Sequence, residues 1–227
     1  GLSGVPVAAE TIALFTLLEL VRATGAPLHV CRLSSAAGVE MVRQAKAHGL
    51  PVTADVSVQS LHLTDMDIGY FDSRARLAPP LRQQADRDAL RRGLVDGTLD
   101  ALVSDHTPVA DDEKTLPFAE ATPGATAIEL LLSLALKWSR SDGVDLQRML
   151  AVLTHAPGRL VAADATVGRL QVGGRADLCI FDPLADWQVR PQALYSQSHA
   201  TPFAGQELPG RVRHTVVDGR IVFSRGG

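Results

Sequence analysis

Three short, almost wholly apolar segments dominate the first half of this sequence: Leu28-His29-Val30-Cys31, Val52 to Val56, and Ala101-Leu102-Val103-Ser104. None shows the polar–apolar alternation of a strand with one wet face, so each reads as a strand buried on both sides. Helical spacing separates them. Apolar residues recur with a helical period from Val5 to Thr24 and stop at Gly25-Ala26-Pro27, a C-cap glycine followed by proline. Ser34 and Ser35 are N-cap candidates for a helix reaching about His48, and another helix runs from about Ala85 to Asp96 before Gly97. Strand and helix in alternation predict an α/β fold, a layer or a barrel with parallel strands covered by helices. Between the second and third strands, a polar and aromatic stretch containing Pro79-Pro80-Leu81-Arg82 is expected to be irregular, a long functional loop. Further helices are expected near Thr126 to Ser139, with Leu130, Leu131, Leu132, Leu134 and Leu136 as core, and near Leu146 to Leu153, with His155 at the end of a helix.

After Gly168 the pattern changes to strand and turn, with a strand at Ala176 to Phe181 and a hairpin at Val212 to Phe223. The hairpin turn is Asp218-Gly219, the pair favoured where both central residues need positive φ. A boundary near residue 160 therefore divides a partial α/β unit, 1–160, from a β-domain segment, 161–227. Lys and Arg number 22 against 25 Asp and Glu, and no basic run exists to neutralise a phosphate backbone, which argues against a nucleic-acid partner. No apolar run approaches the ~18 to 20 residues of a membrane span. Cys31 and Cys179 sit in apolar runs far apart, as expected of reduced, buried thiols in a cytoplasmic protein. The opening Gly1-Leu2-Ser3-Gly4 reads as an internal cut.

Chemistry is expected first at Asp105-His106, because ionisable groups directly after a buried parallel strand stand at its carboxyl end, where α/β folds build their sites. A carboxylate there can bind a divalent metal and accept the proton of metal-bound water; equally, it can cap the loop or pair with its neighbour. His29, within a strand, reads as a core residue. Arg32, just after that strand, could hold an anion or make a surface ion pair. The sequence contains neither H-x-H nor H-E-x-x-H.

The succession L-H-V-C-R-L-S-S, V-T-A-D-V-S, P-P-L-R, D-G-T-L-D-A-L-V-S-D-H-T-P and T-P-G-A-T-A-I-E-L resembles the second half of a class I dihydroorotase. The tail, with Gly168-Arg169-Leu170-Gln171-Val172-Gly173 and Ala176-Asp177-Leu178, resembles the closing segment of the wider cyclic amidohydrolases. The resemblance implies the last three strands, sixth to eighth, of a metal-dependent-hydrolase (β/α)₈ TIM barrel, followed by a small β-domain. It implies zinc as cofactor and the interconversion of N-carbamoyl-L-aspartate and dihydroorotate in pyrimidine biosynthesis. Asp105 stands at the family's last-strand aspartate, both metal ligand and general base, while Pro123 and Gly124 stand where family backbone groups contact substrate.

Four departures from that pattern matter. Arg32 replaces a metal-binding histidine, and a guanidinium has only donors and a permanent charge. Ala78 replaces a substrate-binding asparagine, Val109 a substrate-binding histidine, and Gln59-Ser60 a pair of histidines. Losing several polar contacts at one buried site predicts a degenerate copy, for which the resemblance implies a structural partnership with aspartate carbamoyltransferase. An active zinc dihydroorotase and an amidohydrolase for another cyclic amide, such as allantoin or a hydantoin, are the alternatives. A complete barrel typically takes ~250 residues, so the N-terminal half of the same protein is expected as a further partner. The chain alone is expected to be marginal or aggregating, ordered only with that missing half, a neighbouring copy or another subunit, and a sharp two-state melt of a monomer would be the contrary result.

Overall fold

The computed structural model describes residues 4–161 and 167–226. Residues 1–3, on which the reading of an internal cut rests in part, lie outside them. Strands β1 (Leu28–Val30), β2 (Val52–Ser57) and β3 (Ala101–Val103) form a parallel sheet in the order β1-β2-β3. Leu28 pairs with Val52 and Val30 with Ala54, while Asp55 pairs with Ala101 and Ser57 with Val103. The central β2 is buried at every position but Thr53, as a strand covered on both faces must be.

Helix α1 (Val7–Thr24) buries Leu14, Leu18 and Val21, one stripe at i, i+4 and i+7. Gly25 ends it with φ 70° and donates its N–H to the Val21 carbonyl, the stop expected from Gly-Ala-Pro. Early in α1, Glu10 accepts hydrogen bonds from the backbone and hydroxyl groups of both Ser34 and Ser35. Ser35 in turn caps α2 (Ala36–Ala47) by accepting from the Gly38 N–H at 3.0 Å. The segment after β1 is thus fixed by one carboxylate and two hydroxyls. Helix α4 (Gln84–Asp96) supplies the second crossover and ends at Gly97, φ 86°.

The stretch expected to be irregular is partly helical. Helix α3 (Val58–His62) starts directly from β2, with Ser57 accepting from the Ser60 N–H, and short 3₁₀ turns follow at Asp65–Ile68 and Ser73–Ala75. The prolines fall beyond these turns, so they do not prevent the local helix. A 3₁₀ turn at Ile128–Leu130 leads into α5 (Leu131–Asp142), followed by α6 (Leu146–Ala151) and α7 (His155–Val161). His155 therefore begins a helix rather than ending one.

The last segment is an antiparallel sheet of β4 (Leu178–Gln188), β5 (Glu207–Val217) and β6 (Arg220–Ser224), in that order. The β5–β6 turn has positive φ at both Asp218 (49°) and Gly219 (77°), as the Asp-Gly pair predicts. By packing, the chain forms two compact units, Gly1–Glu129 with Pro191–Pro202, and Leu130–Arg190 with Phe203–Gly227. This division follows contacts, whereas the boundary near residue 160 follows the change from helical to strand pattern. Within the second unit α5 lies on β5. Gly210, at φ 86°, permits that approach, since a Cβ there would meet Leu136 at 2.2 Å. Among the described residues, no helix is long and apolar enough to cross a membrane.

Candidate functional site

The carboxyl ends of the three parallel strands gather the chemistry of the first unit. Asp105 follows β3 by two residues and Arg32 follows β1 by two; both have positive φ, 46° and 56°. Such a conformation is uncommon for residues with a Cβ and, at strand ends, frequently aims a functional side chain. Arg32 reaches across the end of β2: its Nη1 donates to Asp105 Oδ1 at 3.1 Å and to the Ala78 carbonyl at 3.1 Å. One guanidinium thus joins three of the positions singled out from the sequence.

Burial raises the Asp105 carboxyl above its ordinary range; the Arg32 charge pulls it down without fully offsetting the burial, and the nearby Asp55 charge adds to the rise. Buried Gln59 steadies the same strand end, donating to the Ser104 carbonyl at 3.1 Å, while its Oε1 has no partner. His106 faces elsewhere, its Nδ1 accepting from the Ala127 N–H at 3.2 Å.

Pro123 and Ala78 line a cavity of about 740 Å³, together with Phe71, Arg76, Arg82 and Phe118. Gly124 does not share that lining. It packs beneath the loop after β3, at φ 141°, where a Cβ would lie 2.6 Å from the Thr107 carbonyl and 2.9 Å from Val109. Only glycine fits so close an approach. Val109 is buried, and its carbonyl accepts from the Ser198 hydroxyl at 2.7 Å. At that position the chain has core packing in place of a polar group.

Zinc at Asp105 needs imidazole, thiolate or carboxylate donors converging on that carboxylate. The group that converges is a guanidinium, which offers no lone pair and repels a cation. The described residues around Asp105 do not by themselves fit the metal that the resemblance implies.

A second cluster was not singled out from the sequence. His29, expected in the core, is part-exposed, with Nδ1 2.8 Å from Thr53 Oγ1 and Nε2 2.9 Å from Asp55 Oδ2. Cys31 and Cys179, expected to be buried, are exposed. Among the described residues, His29, Cys31 and Asp55 are the one group whose potential metal-donor atoms all lie within 4.8 Å of one another. The usable signal was the strand period: His29 and Cys31 fall on one face of β1, and the register sets Asp55 beside them.

The profile of the Amidohydrolase family matches residues 7–223. A dihydroorotase-like protein of Pseudomonas aeruginosa is 44% identical over 221 residues, covering 97% of this chain and 52% of that protein. A dihydroorotase of a Geobacter species is 37% identical over 226 residues, covering 100% of this chain and 53% of that protein. Among solved structures, an L-hydantoinase from Arthrobacter aurescens superposes with a TM-score of 0.91 at 30% identity, covering 98% of this chain and 50% of that one. A D-hydantoinase superposes with a TM-score of 0.89 at 22% identity over 96% of this chain, a likeness of fold. The chain spans about half the length of the curated relatives it matches.

Proposed function

Since the chain belongs to the amidohydrolase family, we propose that it is part of a dihydroorotase-like protein that does not hydrolyse or close cyclic amides and acts structurally, as a partner of aspartate carbamoyltransferase in pyrimidine biosynthesis. The observation that carries the catalytic half of this reading is the Arg32–Asp105 ion pair. A carboxylate serving as metal ligand and proton acceptor must present a free lone pair to an ion or to water. Here Oδ1 accepts from a permanent cation, whose charge opposes a metal ion at the same carboxylate. Val109, in place of a polar side chain, and Ala78, whose carbonyl is taken by Arg32, remove further contacts that would orient a substrate. The relatives named dihydroorotase and dihydroorotase-like supply the substrate class against which the loss is measured. The partnership rests on the resemblance, because a member without chemistry is retained for what it binds.

The test uses the chain together with any coding sequence that precedes it. Purified protein should contain less than one zinc per chain at Asp105 and leave N-carbamoyl-L-aspartate uncyclised, and it should co-elute with aspartate carbamoyltransferase at micromolar concentration. Stoichiometric zinc lost in Asp105→Asn, with cyclisation at ordinary enzyme rates, would restore the reading of an active zinc dihydroorotase. Turnover of a hydantoin alone would favour the substrate class of the L-hydantoinase neighbour. Separate elution of the two proteins would refute the partnership.

A further inference from the structure

The cluster on β1 and β2 has the composition of a metal site, and its geometry is set by backbone register. Cys31, one residue past β1, continues the face of the strand that carries His29, two residues before it; Asp55 lies one residue beyond the Val30–Ala54 pair, on the neighbouring strand. Their donor atoms lie within 4.8 Å of one another. Ligands of a tetrahedral ion with bonds of ~2.0 to 2.3 Å stand roughly 3.3 to 3.8 Å apart. Closing the difference needs only side-chain rotation of His29 and Cys31, both exposed.

The hydrogen bonds around the cluster orient its donor atoms. If His29 Nδ1–H donates to Thr53 Oγ1 at 2.8 Å, then Nε2 carries a lone pair and faces the Asp55 carboxylate at 2.9 Å. A proton bridges the two atoms at that distance, and an ion bound by both would take its place as they part to the ligand spacing. The Thr53 contact is also the kind of outer hydrogen bond that fixes the tautomer of a ligating histidine. Asp55 is oriented in the same way: Oδ1 accepts from the Arg32 N–H at 2.7 Å, leaving Oδ2 for the cluster. The Arg32 guanidinium is drawn off to Asp105 and Ala78, so its charge is not aimed at the three donors.

We propose that His29 Nε2, Cys31 Sγ and Asp55 Oδ2 bind one thiophilic divalent transition-metal ion, of the zinc or cobalt(II) type, with water completing the shell. A thiolate, an imidazole and a carboxylate suit such an ion and do not suit magnesium or calcium. On binding, the thiol proton and the proton shared between Nε2 and Oδ2 pass to the buffer. The site uses neither Asp105 nor the exchange of any other group, so it stands independently of the proposed function.

Cobalt(II) is the probe, titrated into the reduced chain without oxygen. A near-ultraviolet thiolate-to-cobalt absorption should grow to one equivalent and disappear when zinc is added. Cys31→Ser should abolish the band with the far-ultraviolet circular dichroism unchanged, His29→Ala should weaken binding at least tenfold, and Cys179→Ser and Asp105→Asn should leave it intact. Absence of the band in the wild-type chain, its survival in Cys31→Ser, or its loss in Cys179→Ser would overturn the site. Because zinc displacement is read on the wild-type chain, it does not depend on any variant folding. Loss of the band in Asp105→Asn alone would place the metal at the strand end instead, contradicting this site and the proposed function together.

Discussion

Asp55 and Asp105 occupy comparable places, each a carboxylate toward the carboxyl end of a strand in the same parallel sheet, but the structure gives them opposite surroundings. Asp55 is 6% exposed; its Oδ1 accepts from the Arg32 backbone N–H and its Oδ2 lies 2.9 Å from His29 Nε2, so it ties β2 to the β1 segment. Asp105 has a single side-chain partner, the Arg32 guanidinium, at one oxygen. The first carboxylate is held by backbone and ring groups of the β1 segment, and the second by one side chain that reaches over β2. Position at a strand end therefore does not determine what a carboxylate does; the number and kind of donors around it do.

Removing each carboxylate should separate the two roles most sharply. Asp55→Ala removes the buried partner of the Arg32 N–H and of the His29 ring and should cost about 3 kcal/mol or more. Asp105→Asn keeps an acceptor for Arg32 and should stay within about 1 kcal/mol of wild type. Urea unfolding followed by circular dichroism measures both, and equal losses would break the comparison.

Lys114 sharpens it by showing burial without a carboxylate at hydrogen-bond distance. Its ammonium donates to the Ser73 and Arg76 carbonyls at 3.0 and 3.3 Å, and burial, aided by the Arg76 charge, lowers its pKa to about 8. The folded chain thus holds this proton less tightly than the unfolded chain, whose lysine titrates near 10.5. Stability should rise as pH increases through that interval, by about 1 kcal/mol between pH 8 and pH 9. The rise should vanish in Lys114→Met, and a wild-type stability flat across the interval would show the ammonium to be solvated.

Much of the fold was legible because it depends on local pattern. Apolar runs at residues 28–31, 52–56 and 101–104 mark the three parallel strands, although only the central β2 is buried almost throughout and β1 is partly exposed; Gly25 marks a helix end, and Asp218-Gly219 marks a hairpin. Legibility failed where a residue's usual preference was overridden. Pro183 concealed the length of β4, because the strand accommodates it at a register shift between Asp182 and Asp186. The prolines at 79 and 80 similarly drew attention from α3, whose cap, Ser57, is the last residue of β2. At the site, Arg32, Ala78 and Asp105 were legible one by one through the resemblance. Their union through one guanidinium depends on strand order, which brings together residues 73 positions apart. Asp55 was not legible at all, since one charge within an apolar run reveals its partners only once the register with β1 is known.

The smallest effect concerns the Asp105 proton itself. Burial raises this carboxyl above the ordinary value of 3.8, and Arg32 offsets only part of the rise. The folded state therefore binds the proton more tightly than the unfolded state does, so this group's contribution is most favourable below pH 3.8 and declines as pH rises through the folded-state value. Carboxylates held low by hydrogen bonds, among them Asp72 paired with Arg74, contribute in the opposite sense, gaining stability as pH rises. The total pH profile mixes the two, but the difference between wild type and Asp105→Asn isolates one. That difference should turn against the wild type as pH climbs from below 4 toward neutrality, and Arg32→Ala should enlarge the turn by removing the cation that offsets burial. If Arg32→Ala leaves the turn unchanged, the guanidinium and the carboxylate do not form an effective pair in solution, and the contrast between a carboxylate held by backbone and one held by a side chain loses its physical basis.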